Sequence, residues 1–169
     1  KKNIAEVAKK KLPKTTEEEA LKSGEELGKF VFQSAFKNDF TKIEKIMLKP
    51  EEAKAFAKET LFKTYANPEN LKKKFKTWVQ NFDKTIFKKV KIEDKNIKTI
   101  KPGDKSKKFK ELGAALTREI TVVEGKIISR KLKKTSAKCS FVGIKLKEND
   151  WRLLRLKGCK IKSKKKQKN

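Results

Sequence analysis

The stretch KCSFVGIKLKENDWRLLRLKGC, residues 138–159, contains both cysteines of the chain and reads as a β-hairpin. Alternation in its first half puts Val142, Ile144 and Leu146 on one face, and in its second half puts Leu154 and Leu156 on one face with Arg152. Side chains alternate along a strand, so a slip of one residue would turn one apolar set over to the other side. The two sets share a side only when facing residue numbers sum to an even value. A three-residue loop, Glu148-Asn149-Asp150, satisfies this by pairing Lys147 with Trp151. Ile144 then faces Leu154, Val142 faces Leu156, and Cys139 faces Cys159.

Directly opposed residues have Cβ atoms roughly 4.5–5.5 Å apart, near what a disulfide requires. A Cys139–Cys159 disulfide is therefore the expectation, with two unbonded thiols on the sheet as the alternative. A zinc site needs more ligands than a chain without histidine or a third cysteine offers, and a redox-active pair usually has the CxxC spacing. Disulfides persist mainly in oxidising compartments, which points to a periplasmic or secreted protein, a cytoplasmic one being the alternative. The chain starts at Lys1, as a trimmed chain or a mature form with its signal peptide removed; the cysteines favour the second.

Working back from the hairpin, the period stays at 2 as far as residue 88. KVKIEDKNIKTI alternates Val90 and Ile92 with charge, and KPGDKSK is a loop. ALTREITVVEGKIISRKL reads as two strands about a turn at Glu124-Gly125. That turn would set Val122 opposite Ile127 and Glu119 opposite Arg130. Before residue 88 the period is 3.6. Thr16 precedes Glu17, Glu18 and Glu19 as a helix start, and Ala20, Leu27, Val31 and Ala35 recur as an apolar stripe. Asp39 stands as the cap of a short second helix with Ile43, Ile46 and Met47, and Pro50 and Pro68 open two more. The expected organisation is a basic flexible arm over 1–15, one α+β domain over 16–162 and a basic tail over 163–169. Its plan is N-terminal helices packed on a curved antiparallel sheet of four to five strands, cone or cystatin-like.

Eleven Phe and 36% hydrophobic residues are enough for a core, but 48 Lys+Arg against 21 Asp+Glu leave a net charge of +27. Such a field attracts anionic polymers and surfaces. Only four of the cations are arginines (Arg118, Arg130, Arg152 and Arg155), and lysine lacks the planar fork that reads bases bidentately. Nucleic-acid binding without sequence specificity is compatible with this; sequence reading is not. No apolar run approaches the roughly 20 residues of a membrane span.

ALKSGEELGKFVFQSAFKNDFTKIEKIM resembles the opening helix and Asp-Phe corner of bacterial nuclear transport factor 2-like, lumazine-binding-like proteins, and IKLKENDWRLLRL is similar to their closing hairpin. The resemblance covers about residues 18–158 and implies a cone-shaped α+β fold and an exported protein or lipoprotein, without naming its role.

No catalytic residue, cofactor or metal ligand is singled out. Enzymes of that superfamily place His, Asp or Tyr in the cone, and this chain has no His. Asp39, Asp83, Glu119 and Tyr65 each have a structural explanation, respectively as cap, surface residue, cross-strand partner and packing. The aromatic-basic face of the hairpin is the candidate interface: Phe141, Trp151 and Leu153 bordered by Lys145, Lys147, Arg155 and Lys157. The alternative is that helices cover Trp151. Three functions follow. The first is an exported, non-enzymatic binding protein whose basic surface engages an anionic envelope component or a protein partner. The others are a nucleic-acid binder using lysine contacts, and a small-ligand carrier or enzyme using the cone cavity.

Overall fold

The computed structural model describes residues 21–83, 86–92, 96–131 and 135–163, with side chains described outside 82–90, 129–137 and 161–163. The expected arm over 1–15, the helix start at Thr16 and all but the first residue of the tail lie outside the described residues.

Helix α1 (Gly24–Phe36) begins where Ser23 Oγ accepts from the Glu26 N–H at 3.1 Å while Glu26 Oε1 accepts from the Lys22 N–H at 3.0 Å. Leu21, just before it, pairs with Trp151 as a β-bridge instead of extending the helix. Leu27, Val31 and Ala35 are buried as the 3.6 period requires. Helix α2 (Phe40–Ile46) buries Ile43 and Ile46; Asp39 stands at its N-cap but its side chain makes no capping bond. Pro50 opens helix α3 (Pro50–Ala53), which stops after four residues. The next backbone groups bond elsewhere: the Lys58 N–H donates to the Ala115 carbonyl, and the Thr117 N–H to that of Phe56. A π-helical turn (Leu61–Tyr65) and helix α4 (Pro68–Asp83) follow.

Among the described residues five antiparallel strands make one sheet: β1 (Ile86–Lys91), β2 (Ile97–Ile100), β3 (Ile120–Lys131), β4 (Thr135–Lys147) and β5 (Asp150–Ser163). Their order is β1-β3-β4-β5, and β2 pairs with the start of β3 on the side where β1 pairs with its end. Between β2 and β3, past the loop KPGDKSK, lies a short helix not expected from the sequence, α5 (Lys110–Ala115).

The expected turn at Glu124-Gly125 is absent. β3 runs straight through it, so Val122 faces Ile144, Glu124 faces Val142, and Glu119 lies before the strand, away from Arg130. Gly125 serves close packing here. A Cβ at this position would sit 2.3 Å from Cζ of Phe141, whose ring lies across the glycine.

The hairpin register also differs from the expected one. The loop is two residues, Glu148-Asn149, with Asn149 at φ 60°, and Lys147 pairs with Asp150 rather than Trp151. One extra residue in β4 beside Lys147 and two bulges in β5 then shift the ladder. Ile144 faces Arg152 instead of Leu154, and Val142 faces Arg155 instead of Leu156. After the last bulge Cys139 faces Cys159, as expected, and the two form a disulfide.

Both faces of the sheet carry a core. On the first, α1, α2 and α4 cover Val123, Ile127, Cys139, Phe141, Trp151, Leu153 and Leu156. On the second, a small lobe built from α3, the π-helical turn and α5 covers Ile120, Val122, Val142, Ile144 and Leu154. Neighbouring strand residues point to opposite faces, so the doublets Val122-Val123, Phe141-Val142 and Leu153-Leu154 are the sequence trace of this double burial. The outer edge of β5 is covered as well. The Trp151 N–H donates to the Leu21 carbonyl at 2.8 Å, the Leu48 N–H to that of Leu153 at 2.9 Å, and the Trp78 indole N–H to that of Lys157 at 2.6 Å.

Candidate functional site

Phe141, Trp151 and Leu153 are not an exposed strip. They are 0%, 6% and 1% exposed beneath the first-face helices, because β5 lies against the segments entering α1 and leaving α2. The charged residues expected to border them separate. Lys145 bonds Glu148 at 2.9 Å, and with Lys147 it lines a groove of mixed sign that also contains Glu52, Arg118, Glu119 and Asp150. The Arg155 guanidinium lies over the Tyr65 ring, 4.4 Å from its centroid. Burial pushes the Tyr65 hydroxyl above its ordinary pKa, against a smaller opposing effect of Arg155. Only Lys157 reaches a coherent site.

That site lies on the second face, where the apolar lobe ends. Row by row along the strands, Val122 and Ile144 give way to Glu124 and Val142, then to Lys126 and Ser140, then to Lys138 beside Lys160. The last two rows, with Lys108 from the start of the lobe and Lys157, Gly158 and Cys159 from the bulged part of β5, form an open cleft of about 650 Å³. Among the described residues five lysines line it around one carboxylate.

Glu124 is 8% exposed at the cleft floor. The Lys157 ammonium donates to its Oε2 at 2.5 Å, and the Lys108 ammonium donates to Oε1. Burial alone would raise the Glu124 pKa. The two hydrogen bonds and the charges behind them outweigh it and hold the carboxylate below its usual range. Glu124 therefore stays ionised and fixes two ammonium groups at one end of the cleft. At the other end the register sets like charges face to face, Lys138 against Lys160 and, on the neighbouring strand pair, Lys91 against Lys126. Opposed like charges destabilise a sheet, so the charge pairing here works against the fold.

Of the charged residues of the cleft only Lys157 was singled out from sequence, and Cys159 only as a disulfide partner. The missed signal is parity: Lys138 and Ser140 share a face with Val142 and Ile144, and the apolar-to-basic switch along that face marks where cover ends. Among the described residues no group of three His, Cys, Asp or Glu is placed to hold a metal, and no helix is long and apolar enough to cross a membrane. No protein-family model matches the chain, nor does any curated protein or solved structure at a significant level.

Proposed function

We propose that this chain is an exported, non-enzymatic binding domain that engages an anionic partner through the lysine-lined cleft of its sheet. The observation that carries the reading is the cleft itself, in which four strand lysines on one half of one sheet face, two of them directly opposed, gather with Lys108 from beside the sheet. The Cys139–Cys159 disulfide supports export, since such bonds persist in oxidising compartments. Helices leading into an antiparallel sheet give limited support to a kinship with cone-shaped nuclear transport factor 2-like proteins.

Retention on heparin, compared between the native chain and a Lys138→Thr/Lys160→Thr variant, tests the proposal. Threonine keeps strand propensity while removing two of the five charges. Affinity of the native chain falls steeply with salt, because lysine contacts to a polyanion act by counterion release, and the variant has a shallower salt slope. An unchanged slope refutes the cleft as the binding site. Discrimination between one nucleic-acid sequence and its scrambled counterpart at high salt favours the nucleic-acid reading instead.

A further inference from the structure

We infer that the cleft takes a compact, non-aromatic scaffold bearing two phosphates, a sugar or polyol bisphosphate, either free or as a lipid headgroup. The inference rests on the anion-binding reading above and names the ligand class for the same site.

Charge comes first. Among the described lining residues, Lys108, Lys126, Lys138, Lys157 and Lys160 against Glu124 leave four positive charges uncompensated. A phosphate monoester carries roughly 1.5–2 negative charges near neutral pH, so two of them match the cleft and one does not. Size is the second constraint. About 650 Å³ lies within the range of ligand pockets, roughly 300–1,000 Å³, and the floor from β3 to β5 is about 10 Å wide. The lobe closes one end at Lys108 and Glu124, so the shape suits a short ligand better than a long chain.

The chemistry of the lining is the third. Among the described lining residues none is aromatic and none is arginine, so the cleft has neither a platform on which a nucleobase could stack nor a fork for bidentate reading. Ser140 offers a hydroxyl that both donates and accepts, suited to a polyol. Glu124 sets the balance between the ends. It already occupies two ammonium groups, so the phosphates fall to Lys126, Lys138 and Lys160 with a share of Lys157.

The test is calorimetric titration of the disulfide-bonded chain at about 0.15 M salt with fructose 1,6-bisphosphate, inorganic phosphate and heparin. Flotation with phosphatidylcholine vesicles, with and without phosphatidylinositol bisphosphate, accompanies it. The free bisphosphate is expected to bind about tenfold tighter than inorganic phosphate, Lys138→Thr and Lys160→Thr each to lose severalfold, and Glu124→Gln to gain severalfold. Thermal melts confirm that each variant is folded before titration. Vesicle binding that needs the bisphosphate lipid and the same lysines, and exceeds binding of the free sugar, assigns the headgroup as the source; the reverse order assigns the free ligand. Neither bisphosphate binding better than inorganic phosphate, while heparin still requires Lys138 and Lys160, overturns the ligand class and leaves the binding function standing. Heparin binding indifferent to both lysines overturns the two together.

Discussion

The two faces of the sheet share one backbone and differ in what covers them. On the first, apolar residues from Trp151 to Cys139 lie under helices without a break. On the second, the cover stops at Glu124, and beyond it Lys126, Ser140, Lys138 and Lys160 take most of the positions, beside Ile128. Phe141 and Ser140 are chain neighbours, yet one is sealed in a core and the other lines an open cleft. Stability is therefore concentrated on the first face and on the lobe end of the second, while the free half of the second can bear charges that weaken the fold. If that division is right, substitutions on the two faces have separable effects.

The largest effect is expected at the covered face. Trp151→Ala or Phe141→Ala should cost about 3–5 kcal/mol in urea denaturation, since each empties a buried site beneath α1 and α4. A loss under about 1 kcal/mol for Trp151→Ala, accompanied by lost binding, would restore the exposed-interface reading and break the comparison. Next is the disulfide at the boundary. Reduction frees a loop with a sequence separation of 20, which costs about 3 kcal/mol by the chain-entropy estimate. Comparing melts of oxidised and reduced, alkylated protein measures it. Two titratable thiols in native material would remove the argument for export.

Glu124 gives a smaller, pH-dependent effect. Its folded pKa lies below the ordinary value of 4.5, so its stabilising contribution is fully present above that value and is lost as pH falls through the depressed folded value. Glu124→Gln should flatten this acid limb of the stability curve, and an unchanged limb would show that Lys108 and Lys157 do not hold the carboxylate. The smallest stability effect is expected from Lys138→Thr/Lys160→Thr, within about 0.5 kcal/mol and towards greater stability, because it removes an opposed like-charge pair. A clear loss would mean that these lysines stabilise the fold.

Much of the helical half was legible because it depends on local signals: the Leu27-Val31-Ala35 stripe, and Pro50 and Pro68 at their helix starts. The cysteine pairing was legible for a less secure reason. The loop is shorter than expected and the ladder shifts three times, but the shifts return Cys139 to Cys159. Tertiary contacts hid the rest. Gly125 marks a glycine by the same letter whether it turns the chain or admits the Phe141 ring, and only the fold tells which. The stretch from Pro50 to Tyr65 has a helical pattern, but its backbone at Phe56 and Lys58 bonds across to Thr117 and to Ala115, the last residue of α5. The candidate interface failed because it assumed one covered face; the apolar doublets of β3, β4 and β5 indicated two. Lysine is spread over nearly every segment, so the one local mark of the cleft was the parity switch from Ile144 and Val142 to Ser140 and Lys138, and the lysines gather only once three strands lie side by side.

The central claim, that anions bind at the open half of the second face rather than wherever lysine is exposed, is tested most directly by amine footprinting. The native chain is acylated with and without heparin at near-physiological salt, and the modification of each lysine is read by mass spectrometry. Protection is expected at Lys126, Lys138, Lys157 and Lys160, with Lys72, Lys73 and Lys76 on the exposed face of α4 reacting as fast as without heparin. Equal protection of the α4 lysines and the cleft, or protection of α4 alone, would contradict the account.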